Sequence, residues 1–248
     1  MVRSDPILRP LLALFLALFC TVVRAETVTV AVAANMLPTA VKLVAAHGAD
    51  ADILLAHGST GRLYAQIVAG APFDIFLSAD AERPARLEAE GMAAQRRTYA
   101  LGRIVIVAVP GILNGDPAQT LKGRRLAIAD AAVAPYGLAA EQALGALGVD
   151  LAQTTLITGD SVGQVAGFIA TGNVDAAVIA ASQLPQVLAE RPFEHRSLDA
   201  ALHDPIRQDA VLLPRGAENP TAVAFWQWLA GPEAATILRA SGYEVPGP

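Results

Sequence analysis

The residues best placed to do chemistry are Gly58-Ser59-Thr60-Gly61, two hydroxyls held between two glycines. The run before them, Asp52-Ile53-Leu54-Leu55-Ala56-His57, reads as a buried strand. After them Leu63, Tyr64, Ile67 and Val68 recur at helical spacing, with Gly70 as the stop. A turn of this composition at a helix mouth offers unpaired backbone N–H groups and the positive end of a helix dipole, which is chemistry for an anion. Taken alone, the same loop also reads as a plain structural turn.

Three other junctions repeat the pattern. Ala33-Ala34-Asn35 ends the first strand ahead of a helix marked by Leu37, Ala40, Val41 and Val44, with Asn35 as a suitable N-cap and Pro38 in the first turn. Ala134-Pro135-Tyr136-Gly137 precedes the face Ala140, Ala143, Leu144 and Leu147. Gly159-Asp160-Ser161-Val162-Gly163 precedes Val162, Val165, Ala166 and Ile169. In open α/β sheets ligands sit at the carboxyl ends of strands, where all four junctions must lie. None of the loops holds a lysine, and Arg62 is the only nearby cation. N–H and hydroxyl donors without counter-charge suit a small, fully ionised anion.

The elements that must position these mouths alternate along the chain. Strands are expected at Thr27–Ala33, Asp52–His57, Phe73–Ser78, Arg103–Val109, Arg125–Ala129, Thr155–Thr158, Ala176–Ala180 and Asp209–Leu213. Between most of them lie amphipathic stretches ending at Gly48, Gly70, Gly91, Gly148 or Gly172, which fit the position just past a helix end. This order argues for parallel α/β sheets with helices on both faces. Arg103–Val109 and Asp209–Leu213 each lead into a Pro-containing loop, so they are candidate crossings to a second lobe and back.

The bulk numbers exclude several classes. Arg3 and Arg9, the apolar run from Leu11 to Phe19 and Val23-Arg24-Ala25 form an export leader, with cleavage expected after Ala25. Its core is far shorter than the ~20 apolar residues of a membrane span. Cys20, the single cysteine, falls inside it, so the mature chain is expected to carry neither thiol nor disulfide. Removing the leader takes Arg3, Arg9, Arg24 and Asp5, which leaves 15 basic against 22 acidic residues and a net charge of −7. An acidic chain is a poor nucleic-acid binder.

At the four junctions the chain resembles the periplasmic molybdate-binding proteins, receptors of molybdate ABC transporters. The resemblance spans essentially the whole mature chain. It rests on Val30-Ala31-Val32-Ala33-Ala34-Asn35, on Gly58 through Ile67, on Gly70-Ala71-Pro72-Phe73-Asp74-Ile75-Phe76-Leu77-Ser78-Ala79-Asp80, and on Pro135-Tyr136-Gly137 and Ala181-Ser182-Gln183. It implies an α/β type II periplasmic-binding-protein fold, two α/β lobes with a ligand cleft between them. The lobes would be residues 26–104 with 208–248 and residues 105–207, after a signal peptide of residues 1–25. The ligand would be molybdate or tungstate, with no other cofactor and no catalysis. The partner would be a membrane permease, and the receptor a periplasmic monomer that binds no nucleic acid. Matched by position, the oxyanion contacts fall at Asn35, at Ser59 or Thr60, at Tyr136 and at Val162, the last two through backbone N–H. Where some members carry a further tyrosine this chain has Ala180, and the Tyr136 hydroxyl is a candidate replacement.

Other readings compete. A receptor of the same fold could take another oxyanion such as sulfate. Gly159-Asp160-Ser161-Val162-Gly163 also fits the G-x-S-x-G nucleophile turn, with Asp199 and His203 downstream in triad order. Those two partners stand only four residues apart, which counts against a serine hydrolase. His47, His57, His195 and His203 are scattered without ligand spacing, so no direct protein–metal ligand is expected. Trp226 and Trp228 read as core and surface of a late helix, and Asp74 and Asp80 as strand-end and cap residues.

Overall fold

A computed structural model of the chain describes residues 27–48 and 52–246. The expected leader and Cys20 lie outside the described residues. The first half runs β1 (Val28–Ala33), α1 (Leu37–His47), β2 (Ile53–Gly58), α2 (Thr60–Val68), β3 (Ile75–Leu77), α3 (Glu82–Ala89) and β4 (Gln95–Gly102). Then come β5 (Ile104–Ala108), α4 (Pro117–Thr120), β6 (Arg125–Ala129), α5 (Pro135–Ala146), β7 (Thr155–Gly159), α6 (Val162–Ala170), β8 (Ala176–Ala180), α7 (Leu184–Glu190) and β9 (Glu194–Ser197). The chain ends with β10 (Ile206–Leu212), α8 (Pro214–Glu218), α9 (Pro220–Trp228) and α10 (Pro232–Ala240).

These strands form two five-stranded sheets, ordered β2-β1-β3-β10-β4 and β7-β6-β8-β5-β9. Each is the core of one α/β lobe. The expectation of parallel sheets is corrected here, because both are mixed. β1 pairs in parallel with β2 and β3, and β6 with β7 and β8. β10 runs antiparallel to β3 and β4, and β5 antiparallel to β8 and β9. The reversed strands are the two that arrive from the opposite lobe. A strand that enters from the hinge cannot share the direction of strands fed by a crossover helix.

Two strands lack the apolar pattern that reveals the others. β4 opens Gln95-Arg96-Arg97, and its charges are absorbed by specific partners. Arg96 reaches the buried Asp209 at 2.5 Å, and Thr98 Oγ1 donates to the same carboxylate at 2.7 Å. The Arg97 guanidinium lies 3.8 Å over the Trp226 ring, and burial lowers its pKa to about 10. β9 is the edge strand Glu194-His195-Arg196-Ser197, whose Glu194 accepts from Gly111 N–H and Leu113 N–H. Polar edge strands resist pairing with other chains.

The helix stops follow the glycines. Gly48, Gly70, Gly91, Gly148 and Gly172 all take φ between 72° and 84°, the left-handed region open to a residue without Cβ. The apolar faces pack against the sheets through Leu43 on α1, Leu63 and Ile67 on α2, Leu144 on α5 and Val165 and Ile169 on α6. Val41 and Val68 depart from the expected faces and stay exposed. Trp226 is buried, and Trp228 is half-buried with its indole N–H on Glu233. No described helix is long and apolar enough to cross a membrane.

Candidate functional site

The four helix mouths meet where the carboxyl ends of β1, β2, β6 and β7 face one another. A pocket of about 10 Å³ lies between them, and Asn35, Ser59, Thr60, Tyr136 and Val162 all line it, with Ala79 and Ser161. A groove of about 870 Å³ between α1 and α2 on one lobe and α6 and α7 on the other reaches the same place through Ala34, Ser59 and Ser161. The groove is the larger space, but the small pocket is where the donors converge.

Helix geometry leaves the first N–H groups of each helix without internal acceptors. In α2 the Gly61 N–H is taken by Val133 O at 2.9 Å, from the other lobe. In α5 the Gly137 N–H bonds Ala134 O, and in α6 the Gln164 N–H bonds Ser161. The N–H groups of Thr60, Tyr136 and Val162 keep no such carbonyl, and these three residues line the pocket. Ser59 stands at the N-cap of α2 in an extended conformation, yet its hydroxyl makes no cap bond. Its Oγ is buried without a partner. The Thr60 hydroxyl differs, because it accepts from Ala79 N–H at 3.2 Å.

Asn35 is not the N-cap that the sequence implied. Met36 holds that position in a helical conformation, with Pro38 in the first turn behind it. The Asn35 side chain instead turns into the hinge, fully buried, toward Gln208 Oε1 and Tyr243 Oη at 3.0 Å and Tyr136 Oη at 3.3 Å. The carbonyl of Asn35 accepts from Ser182 Oγ and Tyr243 Oη, both at 2.9 Å. The Tyr136 hydroxyl sits deep in this cluster, so tight on Gly102 that a Cβ there would lie 2.3 Å from it. The tyrosine ring thus points its hydroxyl to the hinge, while the helix mouth belongs to its backbone.

Gln208, Tyr243 and Tyr99 escaped sequence reasoning. Gln208 falls one residue before the expected strand, between Arg207 and Asp209, and only its full burial marks it. Burial holds Tyr99 and Tyr136 well above the ordinary tyrosine value of 10.0, and Tyr243 above it too, with neighbouring tyrosines adding to the first two. Unfolded tyrosines ionise near 10 while these stay neutral, so their contribution is complete below that value and is lost as pH rises toward the raised ones. Urea midpoints should be flat from about pH 8 to 9.5 and fall steadily above about pH 10.

The lobes are closed on each other. Gly61 N–H meets Val133 O, the Arg83 guanidinium donates to Ala132 O at 3.0 Å, and Arg62 pairs with Asp160 at 2.7 Å. The cation in the first turn of α2, Arg62, is therefore spent on a carboxylate of the opposite lobe. Asp74 stands at the strand end as read and accepts from Thr29 N–H. Asp80 lies one residue before the N-cap Ala81, and its carboxylate accepts from Ser78 Oγ and from Arg83 N–H in the first turn of α3. The triad alternative does not assemble. The Ser161 hydroxyl caps α6, the Asp199 carboxylate caps a short turn through Ala201 N–H, and His203 Nδ1 lies on Asp204 O. Among the described residues no hydrogen bond joins the three, and no group of His, Cys, Asp or Glu gathers as a metal site.

Two α/β lobes exchanging one strand each and closing over convergent helix mouths define a two-lobed periplasmic-binding-protein fold. The model of the bacterial extracellular solute-binding protein family matches residues 28–244. The molybdate-binding protein ModA of Azotobacter vinelandii is 37% identical over 243 residues, covering 95% of this chain and 96% of the relative. ModA of Rhodobacter capsulatus is 38% identical, covering 94% and 93%. The solved periplasmic molybdate-binding protein of Azotobacter vinelandii superposes with a TM-score of 0.81 at 36% identity, over 89% of this chain and all of that one. The sulfate-binding protein SubI of Mycobacterium tuberculosis, at 14% identity and a TM-score of 0.72, shares the fold. The chain belongs to the bacterial extracellular solute-binding protein family, alongside these molybdate-binding relatives.

Proposed function

We propose that this chain is an extracytoplasmic receptor that captures molybdate, and the nearly isosteric tungstate, and delivers it to an ABC-transporter permease. The observation that carries the reading is the pocket itself. Three unpaired N–H groups and the free Ser59 hydroxyl surround a space with no cation of its own. Donors of this kind, in a site closed from water, hold a fully ionised oxyanion through charge-assisted hydrogen bonds. The relatives named above are molybdate-binding proteins, which selects among oxyanions. The site residues are Asn35, Ser59, Thr60, Tyr136 and Val162, the last two acting through backbone.

At about 10 Å³ the closed pocket has room for about one water, so an oxyanion enters with the lobes apart and is held as they come together. The lobes divide as residues 26–104 with 208–248 and residues 105–207, β5 and β10 being the strands that cross. The receptor works as a periplasmic monomer after cleavage behind Ala25, catalyses nothing and needs no cofactor. Calorimetry of residues 26–248 with molybdate, tungstate, sulfate and phosphate tests this. Binding of molybdate and tungstate is expected, sulfate binding alone would favour the sulfate-receptor reading, and binding of none overturns the proposal. Arg62→Ala should change the affinity by less than about fivefold, because an exposed pair with Asp160 contributes only ~0–1 kcal/mol.

A further inference from the structure

We infer that Gln208 is the positioning residue that makes Asn35 a hydrogen-bond donor to the bound anion, an inference that rests on the molybdate reading above. The argument is a count of protons. Asn35 Nδ2 faces three oxygens, Gln208 Oε1, Tyr243 Oη and Tyr136 Oη, with two protons to give. Gln208 Nε2 donates to Tyr136 Oη at 3.0 Å. The Tyr136 hydroxyl therefore meets two N–H donors, and its own proton finds no acceptor. At the other end of the Asn35 amide, Oδ1 is buried without a partner in a residue that lines the pocket. An acceptor turned toward an oxyanion repels it.

The two ends of a carboxamide have one shape and opposite roles. A half-turn of both amides together keeps the distances and reverses the roles. Tyr136 then donates to Gln208 Oε1, and Gln208 Nε2 donates to Asn35 Oδ1 and to Tyr99 Oη. Tyr99 in turn donates to Ser78 O, which lies at 3.1 Å. The Tyr136 proton now has an acceptor, and Asn35 Nδ2, placed where Oδ1 had no partner, is left for the anion to accept from. Turning Asn35 alone fails, because it sets Oδ1 against Gln208 Oε1 at 3.0 Å, acceptor on acceptor. Gln208 must turn with it.

Two features of the fold serve this pairing. The register of β10 against β4 shifts between Gln208 and Asp209, an irregularity of the kind that re-aims side chains beside sites. It leaves both residues fully buried, Asp209 on Arg96 and Thr98 and Gln208 in the hinge. Ser182 Oγ keeps the Asn35 carbonyl, while Tyr243 Oη, 3.0 Å from the turned amide, moves its single proton from that carbonyl to Oδ1, so the amide can turn while the backbone stays.

A double-mutant cycle read by molybdate calorimetry tests the inference. Gln208→Met removes both ends of the amide and should weaken binding about tenfold or more, the worth of one hydrogen bond to a charged group. In an Asn35→Ser background the hydroxyl orients itself, so Gln208→Met should then cost less than about threefold. Equal losses in both backgrounds make Gln208 a packing residue and overturn the inference. If Gln208→Met does not fold, the wild-type protein decides by the 15N-resolved side-chain amide signals of Asn35. Both Nδ2 protons should shift when molybdate is added. A wild type that binds while these signals stay put overturns this inference alone, whereas one that binds no molybdate overturns the receptor reading and this inference with it.

Discussion

Gly61→Val should raise the dissociation constant for molybdate more than about a hundredfold and leave the ligand-free protein within about 1 kcal/mol of its original stability. Gly61 lies in the first turn of α2 and donates its N–H across the cleft to Val133 O. A Cβ there would sit 3.0 Å from Val133 Cα and 3.1 Å from its carbonyl oxygen, both backbone atoms of the other lobe. Valine adds two further methyls at that point. The strain vanishes when the lobes part, so only the closed state is penalised, and a penalty of ~2.7 kcal/mol is a hundredfold in affinity. Gly137 provides the contrast. Its Cβ would meet Ala129 O at 2.3 Å within the same lobe, which no lobe motion relieves. Gly137→Ala should cost about 3 kcal/mol of stability with or without ligand. Calorimetry and urea unfolding of both variants separate the two effects, and unchanged affinity in Gly61→Val would mean that the lobes need not close this far.

Why the sequence revealed the mouths but not the hinge follows from the kind of signal each leaves. Ser59, Thr60, Tyr136 and Val162 stand where an apolar run gives way to helical spacing, and such a junction is local in the chain. The helix-stop glycines Gly48, Gly70, Gly91, Gly148 and Gly172, all at positive φ, are legible for the same reason. The hinge cluster is assembled from Asn35, Tyr99, Tyr136, Ser182, Gln208 and Tyr243, far apart in sequence, and no local pattern connects them. Asn35 shows the limit within one residue. Its type and place suggested an N-cap, but partners 101, 173 and 208 residues away draw its side chain elsewhere. The antiparallel crossing strands were hidden likewise. The runs of β5 and β10 were visible, while their direction depends on which lobe they come from.

Ser59→Ala should weaken molybdate binding about 10- to 100-fold, since a hydrogen bond to a charged group is worth ~1.5–3 kcal/mol. The same change should leave the ligand-free protein as stable as before or more so. A serine at an N-cap ordinarily accepts from a first-turn N–H, and replacing it by alanine costs about 1 kcal/mol. Here that bond is not made, and a hydroxyl buried without a partner is itself a cost of roughly 1–3 kcal/mol. Alanine removes the cost and the function together. Thr60 is the opposite case, because its hydroxyl holds Ala79 N–H and so joins α2 to the loop after β3. Thr60→Val should therefore lose about 1 kcal/mol of stability and less affinity than Ser59→Ala. The sign of the stability change, read by thermal unfolding beside calorimetry, separates the two hydroxyls that the loop's sequence left equivalent. Ser59→Ala with lower stability and unchanged affinity would make Ser59 the cap and Thr60 the donor. A hydroxyl left unbonded inside a closed protein is a local cost that a ligand can offset, and Ser59 is where α2 carries it.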